Sequence, residues 1–500
     1  MRNILIASSL FAVSALALFA CSGSDNTATP AADAGTDAPK VKPDASADAG
    51  TDSAAPNVNI SGTTEISVMV VSGSFGYPKS GADKGTGVDG ADARIENADG
   101  SGWLEGVTDA TGKVTFKVDL AKGPFDITAA KADLGAASIV GVKAAADVAG
   151  KSLWLPQQLA TKEYNITGAI SNAGATNSVQ LDCAWFATAW LKNGGSAVKN
   201  YSTKHVWVQD DQAPVNVAAL EVDPMNNLVD GVWTPTQTRT QGTMVADVDF
   251  SKNKIAMPMT ANITLNLPAS GQLTGAMIDA VGDLTGATGL GPWTNSTVAK
   301  SVGQSAAYVG IGVLSLPASG ASKFKVQYLG GDLQPDYATA FMYKKNSGNG
   351  LSIHVKKADL VDGKQITIPT MSPMSITDSA GAGPGGSDAG AGPSDLSDSF
   401  ISFDGSAADF VGVSISESNA ASNNRTIWSL HFIGKTATKK SVPHLPSKIA
   451  LTDLTGASSV ILGMAAGKGL TLPTDFAAGQ GGGQPADFAF DYSVQLGANR

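Results

Sequence analysis

The stretch whose reading decides the fold is GVTDATGKVTF, residues 106–116. Asp109-Ala110-Thr111-Gly112 has the composition of a tight turn: an aspartate that can bond its own backbone and a glycine free to take positive φ. After it, Val114, Phe116 and Val118 alternate with Thr115 and Lys117, the period-two pattern of a strand with one apolar face. The turn is expected to join this run to the residues before it as a hairpin. Upstream, Ile66, Val68 and Val70 alternate with Ser67 and Met69. Downstream, Lys122-Gly123-Pro124 is a second turn, and Phe125, Ile127 and Ala129 repeat the alternation. Runs of this kind, bounded by Gly, Asp and Pro, predict half-buried strands and an all-β chain.

Residues 106–116, the following Gly123-Pro124-Phe125-Asp126-Ile127-Thr128-Ala129 and the upstream Ala93-Arg94-Ile95-Glu96-Asn97-Ala98-Asp99-Gly100 together resemble the carboxypeptidase regulatory-like family. The resemblance implies a transthyretin-like β-sandwich over residues 57–158. It implies an accessory or spacer module without catalytic residues, and none is carried over.

A longer pattern is set by proline. Gly150-Lys-Ser-Leu-Trp-Leu-Pro156, Asn253-Lys-Ile-Ala-Met-Pro258, Gly363-Lys-Gln-Ile-Thr-Ile-Pro369 and Gly467-Lys-Gly-Leu-Thr-Leu-Pro473 are each a turn, a lysine, a short apolar strand and a terminating proline. Their prolines stand 102, 111 and 104 residues apart, about the length of one sandwich. Proline suits strand ends because it donates no ladder hydrogen bond. The expected architecture is therefore a set of tandem Ig-like or transthyretin-like sandwich modules, at 57–158, 159–260, 261–378 and 400–500. A Gly/Ala/Asp-rich linker or long loop at 379–399 precedes the last. Chance recurrence of the strings leaves a second arrangement open, in which residues 160–500 form one or two larger β domains.

The chain begins with Arg2, an apolar run from Ile4 to Ala20, and Leu18-Phe19-Ala20-Cys21. A positive head, a short apolar core and small residues before a cut read as a secretory signal over residues 1–20, not a membrane span. The last four residues resemble the lipobox of bacterial lipoproteins, which implies a lipid on Cys21. Residues 22–56 contain six aspartates and four prolines, and Val41 is their only apolar residue besides alanine. Such a stretch buries too little surface to offset its ordering entropy, so 21–56 is expected to be a lipidated, disordered tether. As a coil it would reach about 30–35 Å. Ser22 after the cysteine favours the outer membrane over the inner, by analogy with lipoprotein sorting in Gram-negative bacteria.

The formal charge of −10, or −11 without Arg2, argues against nucleic acid as a partner. The membrane is the expected partner through Cys21, with polysaccharide or another envelope protein as further candidates. Cys183 lies in an apolar strand-like setting, which reads as a buried inert thiol. Gly381-Ala-Gly-Pro-Gly-Gly386 matches a dinucleotide fingerprint literally but has no strand and helix around it. Gly150-Lys151-Ser152 lacks the first glycine of a phosphate loop, since Ala145 stands there. None of His205, His354, His431 and His444 lies at zinc spacing. His354 and His431 read as half-buried or exposed strand positions. Acidic residues crowd turns and linkers, and Asp89, Asp92 and Asp99 read as solvated turn residues rather than calcium ligands. The paired carboxylates of a glycosidase have no visible candidate.

Trp185, Phe186, Trp190, Trp207 and Trp233 cluster in a chain that is only 6% aromatic. Buried, they are the core of the second module; exposed, Trp185 and Trp190 would form a platform for sugar rings. The sequence thus points to a non-catalytic envelope lipoprotein without cofactor or metal. A carbohydrate-binding surface protein and a hydrolase with an accessory sandwich are the alternatives.

Overall fold

The computed structural model describes residues 58–73, 84–156, 161–183, 187–192, 198–208, 217–225, 227–234, 242–251, 258–266, 293–302, 305–315, 322–331, 334–343, 350–367, 374–378, 399–404, 410–417, 426–434, 436–454, 460–471, 476–478 and 489–499. Almost everything described is strand; the one α-helical turn among these residues is Leu451–Leu454. The fold is all-β, as the alternation predicts.

The first sandwich is built from β1 (Ser61–Gly73), β2 (Thr86–Gly87), β3 (Asp92–Asn97), β4 (Trp103–Val107), β5 (Lys113–Val118), β6 (Phe125–Lys131), β7 (Gly135–Val142) and β8 (Ser152–Pro156). One sheet holds β1 between β5, antiparallel, and β8, parallel, with β2 against the end of β1. The other runs β4-β3-β6-β7, all antiparallel. Ile66, Val68, Val70, Val114, Phe116 and Val118 from the first sheet meet Ile95, Phe125, Ile127, Ala129 and Ile139 from the second in one core. Every one of these is buried. Full burial of each Val, Ile or Phe contributes roughly 1.5–3 kcal/mol, so the apolar members of the alternation define the sandwich.

The turn at 109–112 forms as read. Asp109 Oδ1 accepts from Thr111 N (2.8 Å), Thr111 Oγ1 (2.6 Å) and Lys113 N (3.0 Å), and Gly112 N donates to Asp109 O at 2.8 Å. Gly112 has φ +85°, and a Cβ there would stand 2.4 Å from Val70 O. The expected hairpin needs correcting, however. β4 pairs with β3 and β5 with β1, so the turn is a corner between the two sheets. Buried Thr108 fixes the exit: its hydroxyl donates to Val88 O at 2.6 Å and accepts from Ala91 N at 2.8 Å.

Two further ranges repeat one feature of this sandwich, a closing strand lying parallel to the opening one. β8 pairs parallel with β1, Gly242–Val245 with Thr161–Ser171, and Gln365–Thr367 with Met259–Asn266. The Lys/apolar/Pro strings at 150–156 and 363–369 supply two of these closing strands. The string at 253–258 lies outside the described residues apart from Pro258. The one at 467–473 differs: its described part lies in the strand Val460–Thr471, which runs antiparallel to both of its neighbours.

Hydrogen-bonded ladders also join the ranges expected as separate modules. β7 pairs parallel with Thr426–Phe432, matching Ala136 to Trp428 and Val140 to Phe432. Ala489–Asn499 pairs with Gly350–Lys356 on one side and Val460–Thr471 on the other. The sheet beginning at β4 therefore continues through the last range into the third. Cys21, the tether and the linker at 379–399 lie outside the described residues, apart from Ser399, which begins the strand Ser399–Asp404.

Candidate functional site

β6 is buried along both faces. Phe125, Ile127 and Ala129 enter the sandwich core, and Asp126, Thr128 and Ala130 on the opposite face are covered as well. On β3, Arg94 and Glu96 share that outer face and are also buried. The register places Glu96 directly opposite Asp126, and Arg94 opposite Thr128.

The cover is the segment 436–454. Its strand Thr436–Ser441 carries Lys440, and the loop after it carries His444, Ser447 and Lys448. Apolar residues anchor the segment: Val442, Leu451 and Leu454 are buried in a core shared with Ile427, Trp428 and Leu430, and Leu445 and Ile449 pack against it. With those side chains turned inward, the polar ones between them meet β3, β4 and β6.

Glu96 Oε1 accepts from His444 N at 2.8 Å, and its Oε2 lies 2.9 Å from His444 Nδ1 and accepts from Arg94 Nε at 2.8 Å. The Arg94 guanidinium sits over the Trp103 ring, 4.6 Å from its centroid, an arrangement that favours a cation. Glu105 accepts from Ser447 N at 2.7 Å and from its hydroxyl at 2.6 Å. Lys440 Nζ donates to Ala98 O at 2.7 Å and stands 2.5 Å from Asp126 Oδ2. Asp126 Oδ1 accepts from Gly141 N at 3.0 Å. Its Oδ2 is buried without a hydrogen-bond partner, so the short approach of Nζ is a close contact outside hydrogen-bond geometry. Nearby, Trp428 Nε1 donates to Ser138 Oγ at 2.8 Å, and that hydroxyl pairs with Thr128 Oγ1 at 2.8 Å.

The two carboxyls are driven apart. Burial pushes Asp126 up to about 6; Lys440 and the Gly141 N–H work against that, and the charge of Glu96 adds to it. Burial also works to raise Glu96, but hydrogen bonds and charge from His444, with the charge of Arg94, outweigh it and hold the group below the usual carboxylate range. Glu96 and His444 form a carboxylate–imidazole pair. The neighbouring hydroxyl of Ser447 is held on Glu105 rather than on the imidazole, so this pair does not present a triad.

Of the residues singled out by sequence, Cys21 and Trp185 lie outside the described residues. Trp190 falls in the strand Ala187–Lys192, its backbone opposite Gln180. Cys183 ends the strand Ser178–Cys183. His354 needs correcting from half-buried or exposed: it is 5% exposed. Its Nδ1 lies 2.7 Å from Thr339 Oγ1, and burial holds its pKa down to about 3. His431 is half-buried, with its pKa held down to about 4 by burial and by the charge of Lys151. Asp89 and Asp99 are exposed turn residues; Asp92 begins β3, 3.5 Å from Lys448. Glu96 and Asp126 face each other across β3 and β6, a juxtaposition the sequence reading did not single out. Among the described residues no group of three or more His, Cys, Asp or Glu could hold a metal.

Neither a protein-family model nor a curated protein matches the chain. Among solved structures it is similar to the shaft pilin SpaA from Lactobacillus rhamnosus GG, at 10% identity, 37% of this chain, 98% of that one and a TM-score of 0.14. It is similar to BcpA, the major pilin subunit of Bacillus cereus, at 7% identity, 61% of this chain, 98% of that one and a TM-score of 0.15. A third is a putative adhesin from Bacteroides ovatus, at 8% identity, 40% and 95% coverage and a TM-score of 0.13. Likenesses this distant carry no argument here, and the fold class rests on the strand pairing itself. No described helix is long and apolar enough to cross a membrane.

Proposed function

We propose that the chain is a cell-envelope lipoprotein, anchored through a lipid on Cys21 and held off the membrane by residues 22–56, with a non-catalytic structural or binding role. The outer membrane is favoured over the inner. The observation that carries the role is the polar seam: its charged groups are bonded to one another across the junction of the first sandwich with residues 436–454. A dense charged cluster used in this way joins parts of a surface-held body. The lipobox and the tether support the anchoring. Among the described residues no observation favours sugar binding by Trp185 and Trp190 or hydrolysis, and Trp185 lies outside them.

The test is expression of the full chain and of Cys21→Ala in a Gram-negative host fed labelled palmitate. The parent is expected to take up label and sediment with outer membranes, and the variant to lose both. Equal sedimentation of the two, without label, would refute the anchor. Hydrolytic turnover by the parent that disappears in His444→Ala would refute the non-catalytic role.

A further inference from the structure

From the geometry around Asp126 we infer that Lys440 and Asp126 are joined by an intramolecular amide bond, formed by the folded chain on its own residues. Nζ of Lys440 lies 2.5 Å from Asp126 Oδ2, and the two side chains are 17% and 1% exposed. Two features separate this contact from an ordinary buried ion pair. Oδ2 has no hydrogen-bond partner although an amine adjoins it. A second carboxylate, Glu96, stands directly opposite Asp126 on the neighbouring strand, where facing side chains are within about 5 Å at Cβ.

The amine, the acid and an N–H facing the acid's other oxygen are in place for condensation. The Lys440 ammonium passes a proton to Asp126, a transfer eased by the burial that already favours the neutral acid. The Nζ lone pair then forms the N–C bond to Asp126 Cγ. Oδ1 takes up the negative charge of the tetrahedral adduct, where Gly141 N already points at 3.0 Å. Glu96 accepts a proton from Nζ and returns it to the hydroxyl at Oδ2. The C–O bond breaks and water leaves. One amine and one carboxylic acid become one amide and one water, with Glu96 unchanged and no oxidant or cofactor consumed. Ala98 O, accepting from Nζ at 2.7 Å, aims the amine. Holding the reacting groups in contact away from bulk water lowers the barrier to such a step.

The bond would tie β6 of the first sandwich to the strand Thr436–Ser441. Every residue between them would lie in a closed covalent loop, which restricts the unfolded chain. It deepens the proposed structural role without depending on the lipid anchor: a protein that loses its membrane attachment would still carry it.

The experiment is mass spectrometry of the full chain purified in detergent and digested with trypsin after denaturation. Trypsin cannot cut after an amidated Lys440. The expected product is one branched peptide, Gly123–Lys131 joined to Lys440–Lys448, lighter than the two together by one water. Lys440→Arg and Asp126→Ala should each abolish it, and the unlinked chains should migrate more slowly in a denaturing gel. Glu96→Gln should leave most of the chain unlinked. Recovery of the two peptides separately from the natively folded parent, with cleavage after Lys440, would overturn the proposal whatever the variants do. Full linkage in Glu96→Gln would overturn the part given to Glu96.

Discussion

On β5 the residues between the core positions, Lys113, Thr115 and Lys117, face water; on β6 the corresponding Asp126, Thr128 and Ala130 are buried. The two strands belong to opposite sheets of one sandwich and share the same alternation. Each outer face also carries a Lys–carboxylate pair. Lys117 and Glu65, 3.5 Å apart, are 68% and 61% exposed, while Lys440 and Asp126 are 17% and 1% exposed. Alternation reports which face of a strand is apolar. It does not report whether the polar face meets water or another part of the chain, and the energetic weight of a charge depends on that difference.

The largest effect expected from this contrast is on stability to urea at pH 7. Lys440→Met, which removes both the buried contact to Asp126 and the amide inferred from it, should cost about 3–5 kcal/mol. Lys117→Met should change stability by less than about 0.5 kcal/mol. Equal effects at the two sites would erase the distinction.

The buried histidine of the third range extends the contrast to a titrating group. His354 has a folded pKa near 3 against about 6.5 when unfolded. Between those values the unfolded chain binds the proton and the folded chain does not. Stability from this site is therefore complete above about pH 6.5 and falls by up to about 1.4 kcal/mol per unit as the pH drops toward 3. Urea midpoints of the parent and of His354→Gln, compared from pH 7 to pH 5, should show a steeper slope in the parent, and the slope left in the variant comes from His431, whose pKa is held down to about 4.

A smaller effect is expected where the two outer faces use hydroxyls. Trp428→Phe removes the buried bond to Ser138 Oγ and should lower stability by about 1 kcal/mol. Ser67→Ala removes the exposed Ser67–Thr115 contact at 2.7 Å and should stay within about 0.5 kcal/mol. Thermal unfolding of the two variants side by side measures the ratio.

Much of the first sandwich was legible in the sequence. The apolar positions of β1, β5 and β6 fall in its core, and Asp109 and Gly112 make the turn. What local pattern could not show was where strands separate and what covers them. The corner at 109–112 looks like a hairpin until Thr108 is seen tied to Val88 and Ala91. Nothing near Glu96 and Asp126 in the chain marks them as buried, because what covers them is remote: His444 is 348 positions from Glu96, and Lys440 is 342 from Ala98. One signal was present, a run of polar residues at alternate positions of two adjoining strands, and solvent explains such a run equally well.

The claim on which the account turns is that the strand Thr426–Phe432 and residues 436–454 together cover the outer face of β3 and β6. It is tested most directly by maleimide labelling of the native full chain carrying Cys183→Ala, with Thr128→Cys or Thr115→Cys added. The account predicts rapid reaction at position 115 and none at position 128 until denaturant is added; equal native rates at the two positions would contradict it.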